Sequence, residues 1–128
     1  MSVISQQDMT PTERRQHARY RVDYVGSFSG KNIGAHGVIL DLSLAGGRAR
    51  SGIAFNKDDL LWVIIAVPGF AKALHVPRAV VRWSHGQEFG MEFLQMEPDD
   101  QQQLGELIRQ TELARAPRTN QGDSERAN

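Results

Sequence analysis

Four arginines, Arg14, Arg15, Arg19 and Arg21, fall within eight positions of the stretch ERRQHARYRV, opposed locally by Glu13 alone. A guanidinium presents a planar fork of N–H donors that suits phosphate oxygens and the O6/N7 edge of guanine, which the point charge of an ammonium does not. The whole chain leans the same way, with twelve arginines against three lysines. Arg15 and Arg19 form R-x-x-x-R. On a helix they would share a face, and in an extended chain their alpha carbons would stand about 13 Å apart. In either case both reach one diphosphate-sized object only if the segment wraps around it. A solvated basic segment ahead of a first strand has the same composition. Arg21, inside an apolar run, reads as strand surface.

A second cluster lies in Gly37-Val38-Ile39-Leu40-Asp41-Leu42-Ser43-Leu44. Strict alternation puts Val38, Leu40, Leu42 and Leu44 on one face, and Asp41 and Ser43 together on the other, an acceptor and a hydroxyl pointing the same way. Gly46 and Gly47 then permit a tight turn and a close approach of backbone to a ligand. Taken alone, Asp41-x-Ser43-x-x-Gly46 reads as a strand end followed by a Ser/Gly turn before it reads as a site. Trp62 and Trp83 sit in apolar strands and are expected in the core, with a binding-face position for Trp83, beside Arg82, as the minority reading.

Several chemistries lack their residues. Without cysteine there is no disulfide framework, thiolate metal site or cysteine nucleophile. His17, His36, His75 and His85 have no metal-ligand spacing. No G-x-S-x-G elbow supports a hydrolase built on Ser43 and Asp41, and neither a P-loop nor G-x-G-x-x-G after a strand is present. A formal net charge of zero argues against a binder of nucleic-acid polymer and for a small anionic ligand that needs only a local cation. The start, MSVISQQDM, lacks the regions of a secretory signal. The most apolar run, Leu60 to Val67, falls well short of the ~20 residues that span a bilayer. The expectation is a soluble, cytoplasmic protein with no membrane insertion.

The elements that position these residues read as short strands: Tyr20–Phe28, Gly37–Leu44, Arg48–Ile53, Leu61–Val67, Leu74–Trp83 and Phe89–Leu94. Gly, Pro, Asn and Ser clusters separate them. This spacing predicts an all-β fold, a small antiparallel barrel or sandwich. A helix follows from Pro98, whose first turn carries Asp99 and Asp100 against the positive end of the dipole. Its stripe is Leu104, Leu107, Ile108 and Thr111. The expected organisation is a mobile segment 1–12, one domain over 13–113 and a disordered tail 114–128.

In combination the motifs become specific. E-R-R-x-x-x-R, then Asp41-x-Ser43-x-x-Gly46, then Val80-Val81-Arg82-Trp83, Phe89-Gly90-Met91-Glu92-Phe93 and a C-terminal helix resemble the PilZ domain family over about residues 13 to 113. The resemblance implies a six-stranded antiparallel barrel with a C-terminal helix, and a receptor for the bacterial second messenger cyclic di-GMP rather than an enzyme. It implies Arg15 and Arg19 as grips on guanine and phosphate, and Asp41, Ser43 and Gly46 as the motif on the barrel surface, with Gly47 and Trp83 bordering the ligand. Asp41 suits the donor edge of guanine. An arginine just before R-x-x-x-R, here Arg14, implies two intercalated cyclic di-GMP molecules per chain. Binding would order the N-terminal segment and present a new surface to an unidentified downstream protein. The competing expectation is a PilZ-like adaptor of pilus or motility machinery that binds no nucleotide.

Overall fold

The computed structural model describes residues 18–120, with side chains through Ala114. Six strands follow in order: β1 (Tyr20–Gly30), β2 (Ile33–Leu42), β3 (Gly46–Ser51), β4 (Leu60–Ala66), β5 (Leu74–His85) and β6 (Glu88–Gln95). One helix, α1 (Pro98–Asn120), ends the described chain. Every paired strand is antiparallel, and the order β1-β2-β3-β6-β5-β4 returns from β4 to β1, so the barrel closes. The architecture is the six-stranded barrel with a C-terminal helix that the motifs implied.

The first hairpin is tighter than its composition suggests. Ser29 through Gly34 reads as a turn, yet only Lys31 and Asn32 form one, with Asn32 at φ 61°, the left-handed region that asparagine tolerates. Gly30 and Gly34 are strand residues, and Ser29 pairs with Gly34. Strands β1 and β2 are therefore longer at this end than the sequence predicts.

The phase of β2 also differs. Buried positions are Ile39 and Leu42, while Leu44 is exposed and Leu40 only half-buried. The pairing shifts between Ile39 and Asp41. A bulge of this kind inserts one residue and reverses the inward set, so unbroken alternation cannot hold across it.

Inside the barrel, Phe28, Ile39, Leu42, Leu61, Val63, Ile65, Leu74, Val76, Val81 and Phe89 are essentially inaccessible. Phe55, in the connection between β3 and β4, is buried with Phe28 and Phe89, ring centroids 5.2 to 6.4 Å apart in edge-on arrangement. The tryptophans do not share this core: Trp62 is 51% exposed and Trp83 39%. Trp62 lies between the inward Leu61 and Val63, and the register shift between Val81 and Trp83 turns Trp83 to the outer face although Val81 points inward.

Leu104, Leu107 and Ile108 of α1 join the core as the stripe predicts. Thr111, half-buried, donates its hydroxyl proton to the Leu107 carbonyl. Two contacts tie the helix to the barrel: the His75 amide donates to Asp100 Oδ1 at 3.1 Å, and the Tyr20 hydroxyl to Glu112 Oε2 at 3.0 Å. The helix runs to Asn120, past residue 113, where composition had placed the start of a tail. Glu112-Leu113-Ala114-Arg115-Ala116 is a run of strong helix formers that continues the element beyond its apolar stripe. The segment expected to be mobile, 1–12, and the last part of the expected tail, 121–128, lie outside the described residues.

Candidate ligand-binding site

Register across five strands assembles the site. Arg21 on β1 pairs with Asp41 on β2, Asp41 with Arg48 on β3, Arg48 with Gly90 on β6, and Gly90 with Trp83 on β5. With strands about 4.8 Å apart, this row spans about 19 Å. It presents a cation, a carboxylate, a second cation, a position without a side chain, and an indole.

Asp41 is held from one side. The Arg48 backbone amide donates to Oδ1 and Arg48 Nε donates to Oδ2, both at 3.1 Å. Arg19 Nη1 stands 3.8 Å from Oδ1, too far for a hydrogen bond, and its side chain is 56% exposed. Arg19 is thus a cation beside the carboxylate without being committed to it. Arg48 continues to Glu88, which also meets Arg50, so the acids and bases alternate along the surface. The hydrogen bond that Arg48 donates to Asp41 raises the guanidinium above its ordinary value, against a smaller opposing effect of burial. The Glu88 carboxyl is lowered from its ordinary value chiefly by the hydrogen bond from Arg50.

Ser43, 3% exposed, is engaged in its own turn. Its hydroxyl donates to the Gly46 carbonyl and accepts from the amides of Ala45 and Gly46. The turn fixes the hairpin register that sets Asp41 against Arg48. A Cβ on Gly46 would lie 2.1 Å from the Met91 carbonyl oxygen, so only glycine lets this turn sit on β6. Gly47 lies beneath Asp41, where a Cβ would meet the Asp41 carbonyl oxygen at 2.5 Å. Across the row, a Cβ at Gly90 would fall 2.0 Å from Trp83 Nε1, so the indole occupies the place of the missing side chain.

Arg19, Ser43, Gly46 and Trp83 line one groove of about 350 Å³, together with Arg82 and Glu92, which are themselves paired at 2.6 Å. Asp41 borders it through Arg19, whereas Gly47, packed against the Asp41 backbone, is not among its lining residues. Arg14 and Arg15 lie outside the described residues. Sequence reasoning missed Arg48 and Gly90. Both were within reach, because a turn at Ser43–Gly46 sets Arg48 opposite Asp41, and a turn at Gly86-Gln87 sets Gly90 opposite Trp83.

A larger hollow, about 960 Å³, lies between Lys72–His75 and the start of α1. Its lining carries Glu97, Asp99, Asp100 and Glu106 against Lys72, the wrong sign for a phosphate ligand. Among the described residues, no group of three or more His, Asp or Glu side chains is placed to hold a metal ion, and no helix is long and apolar enough to cross a membrane.

A family model described as the PilZ domain matches residues 13–110. The chain belongs to the PilZ domain family. PilZ domains are non-catalytic receptor or adaptor modules, and the groove belongs to a binding domain rather than an enzyme. Solved structures share this PilZ barrel. The Bacillus subtilis inhibitor of motility (MotI/DgrA) is 20% identical with a TM-score of 0.67, the match covering 81% of this chain and 54% of that one. The PilZ domain of CeSA from a cellulose-synthesizing bacterium is 13% identical, TM-score 0.58, over 73% and 97% of the two chains. YcgR from Escherichia coli, solved in complex with c-di-GMP, is 19% identical, TM-score 0.59, over 79% and 47%. The chain spans about half the length of the first and third of these. No curated protein sequence matches it.

Proposed function

We propose that this PilZ domain is a cytoplasmic receptor for cyclic di-GMP that signals to a downstream protein. The observation that carries the reading is the convergence of Arg19 and Trp83 on one groove lined by the Ser43–Gly46 turn, with the Asp41 carboxylate beside Arg19 at its border. Each group matches a part of the nucleotide. Arginine forks bridge guanine O6 and N7 or grip phosphate, and a carboxylate accepts from the N1/N2 edge. The exposed indole offers an apolar face on which a base stacks, an interaction worth about 1–3 kcal/mol per base. Arg19, Arg15 and Arg14 supply the cations; Ser43 and Gly46 shape the edge that Asp41 and the ligand share, with Gly47 beneath. The loose Arg19–Asp41 pair at 3.8 Å is consistent with a carboxylate that exchanges one partner for the ligand. Residues 13–113 form the receptor domain, and the segment ahead of it closes over the nucleotide on binding, at the cost of its own conformational entropy.

The arginine at position 14 favours two nucleotides per chain, because a second dianion placed beside the first is stabilised by an additional guanidinium. Isothermal calorimetry of the full chain with cyclic di-GMP, GTP and cyclic GMP tests the reading. Saturable heat with cyclic di-GMP alone, at two molecules per chain, is expected, and Arg14→Leu moves the count toward one. A silent cyclic di-GMP titration on folded protein overturns the receptor reading and leaves the adaptor. A count of one for the unaltered chain overturns only the stoichiometry.

A further inference from the structure

Strand β5 gains a residue where it meets the groove. Val81 pairs with Met91 and Trp83 with Gly90, neighbouring positions on β6, so Arg82 has no partner across the ladder. A bulge of this kind re-aims side chains. Consecutive residues of a regular strand face opposite sides of a sheet, yet Arg82 and Trp83 both line the groove. The bulge thus sets a guanidinium beside the indole.

Arg82 does not reach the groove as a free cation. Its Nε and Nη2 both donate to one oxygen, Oε1 of Glu92, at 2.7 and 2.6 Å. Glu92 is fixed between two strands, pairing with Gly46 on β3 and with Val80 on β5. Among the described residues that line the groove it is the one acid, and Arg19 is the other cation. The two arginines are held differently, since Arg19 stands 3.8 Å from its carboxylate and Arg82 is hydrogen-bonded.

The pair is built to open. Its side chains are 53% and 46% exposed, and an ion pair so open to water adds little to stability and separates at little cost. Both donors share a single carboxylate oxygen, which is weaker than a fork with one oxygen for each donor. A carboxylate inside the groove also repels a dianion. Of the parts of cyclic di-GMP, an ionised phosphodiester is the one that can replace a carboxylate, because hydrogen bonds to charged acceptors are stronger than those to the neutral O6/N7 edge of guanine.

We propose that Arg82 and Glu92 form a latch in the groove, closed in the free protein and opened by a phosphate of the ligand, which takes Arg82 from Glu92. The inference rests on the cyclic di-GMP reading of this groove. It adds Arg82 as a phosphate grip. Glu92 has the opposing role, weakening binding both by competing for that grip and by repelling the ligand.

Isothermal calorimetry of the full chain with cyclic di-GMP tests the latch through the opposite signs it requires. Arg82→Ala lowers affinity about tenfold, whereas Glu92→Gln raises it about three- to tenfold. In the double variant the gain from Glu92→Gln shrinks, because no guanidinium is left to release. A pair that served structure alone would lower affinity in both single variants. Both side chains are exposed, so the variants remain folded, which urea melts check. In heteronuclear NMR spectra of the parent, the Arg82 Nε–H resonance moves on addition of nucleotide. A parent that binds while Glu92→Gln is no tighter, or while Arg82→Ala stays within about twofold, overturns the latch and leaves the receptor reading. A parent that takes up no cyclic di-GMP overturns both.

Discussion

The barrel wall has two sides built from the same kind of strand, and they solve opposite problems. Across the end of β2, β3 and β6 the outward residues form an alternating ladder, Asp41–Arg48–Glu88–Arg50, where each charge is met by its opposite within 3.2 Å. On β1 from Val25 to Ser29, and on the β4 residues paired with that stretch, the outward residues carry no charge and include Val25, Ile64 and Trp62. A paired ladder in water contributes little to folding, since exposed ion pairs are worth about 0–1 kcal/mol. Its value lies in placing a carboxylate and cations at fixed positions, which suits recognition of a small polar ligand. An uncharged apolar wall can do nothing of that kind. It offers area removable from water, at about 25 cal/mol per Å², which suits a broad and less directional contact. The same β pattern, with inward positions apolar and outward ones of differing chemistry, thus yields one face suited to selection and one suited to adhesion.

The comparison is broken most forcefully through backbone packing. Gly46→Val puts a side chain onto the Met91 carbonyl, 2.1 Å from the first added carbon, and should cost about 3 kcal/mol in a urea melt. On the opposite wall, Gly34 has its nearest neighbour at 3.8 Å, and Gly34→Ala should change stability by less than about 1 kcal/mol. Equal effects would mean that the groove side is no more tightly built than the other.

Next in size is the separation of function between the faces. Arg19→Ala should lower cyclic di-GMP affinity about ten- to a hundredfold, the loss of a charge-assisted contact of about 1.5–3 kcal/mol. Because Arg19 is largely exposed, the same substitution leaves stability within about 0.5 kcal/mol. Trp62→Ser should leave nucleotide affinity within about twofold. Calorimetry on both variants, with melts alongside, shows whether one wall binds independently of the other.

The smallest expected effect is in the acid limb of stability. The Glu88 carboxyl is lowered in the folded protein, so the unfolded chain takes up its proton first. The stability that Glu88 contributes is therefore present at neutral pH. It declines as pH falls through about 4.5, the ordinary value, and is gone below the folded one. Glu88→Gln removes that contribution, so the gap between variant and parent should close on acidification, whereas Ser29→Ala on the uncharged wall shows no such convergence. Melts from pH 7 to about pH 3 measure the gap; one that persists unchanged places the ladder's effect elsewhere.

Much of this arrangement could be read before folding, and the limits are instructive. Period-two runs and turn residues locate all six strands, because local steric preferences and burial of one face act on neighbours in sequence. The inward and outward assignment failed where a bulge intervened, at Val38 and Leu40, since alternation carries no record of an inserted residue, and at Leu44 because the strand ends at Leu42 and Leu44 lies in the turn. Pairings across short hairpins, Asp41 with Arg48 and Trp83 with Gly90, follow from the turns alone. Those between β1 and β4, and between β3 and β6, join distant segments and leave no local mark, so neither the closed wall nor its uncharged patch was legible. Phe55 escaped for a related reason: it fills the core from a connection, where no periodicity announces it. At the site, chemistry made Arg19 and Asp41 conspicuous, while Ser43 and Gly46 looked like ligand contacts although their visible work is to shape a turn.

The seating of Trp83 on Gly90 constrains how such a domain can diverge. A larger residue at 90 collides with the indole as long as the indole is there, and a smaller residue at 83 leaves the hollow above Gly90 unfilled until something grows into it. The two positions therefore form one heritable unit with a preferred order of change: position 83 shrinks first, and only then is position 90 released. A lineage that abandoned the aromatic platform would soon acquire a side chain at 90, and that acquisition would act as a ratchet, making the return of tryptophan require two substitutions at once.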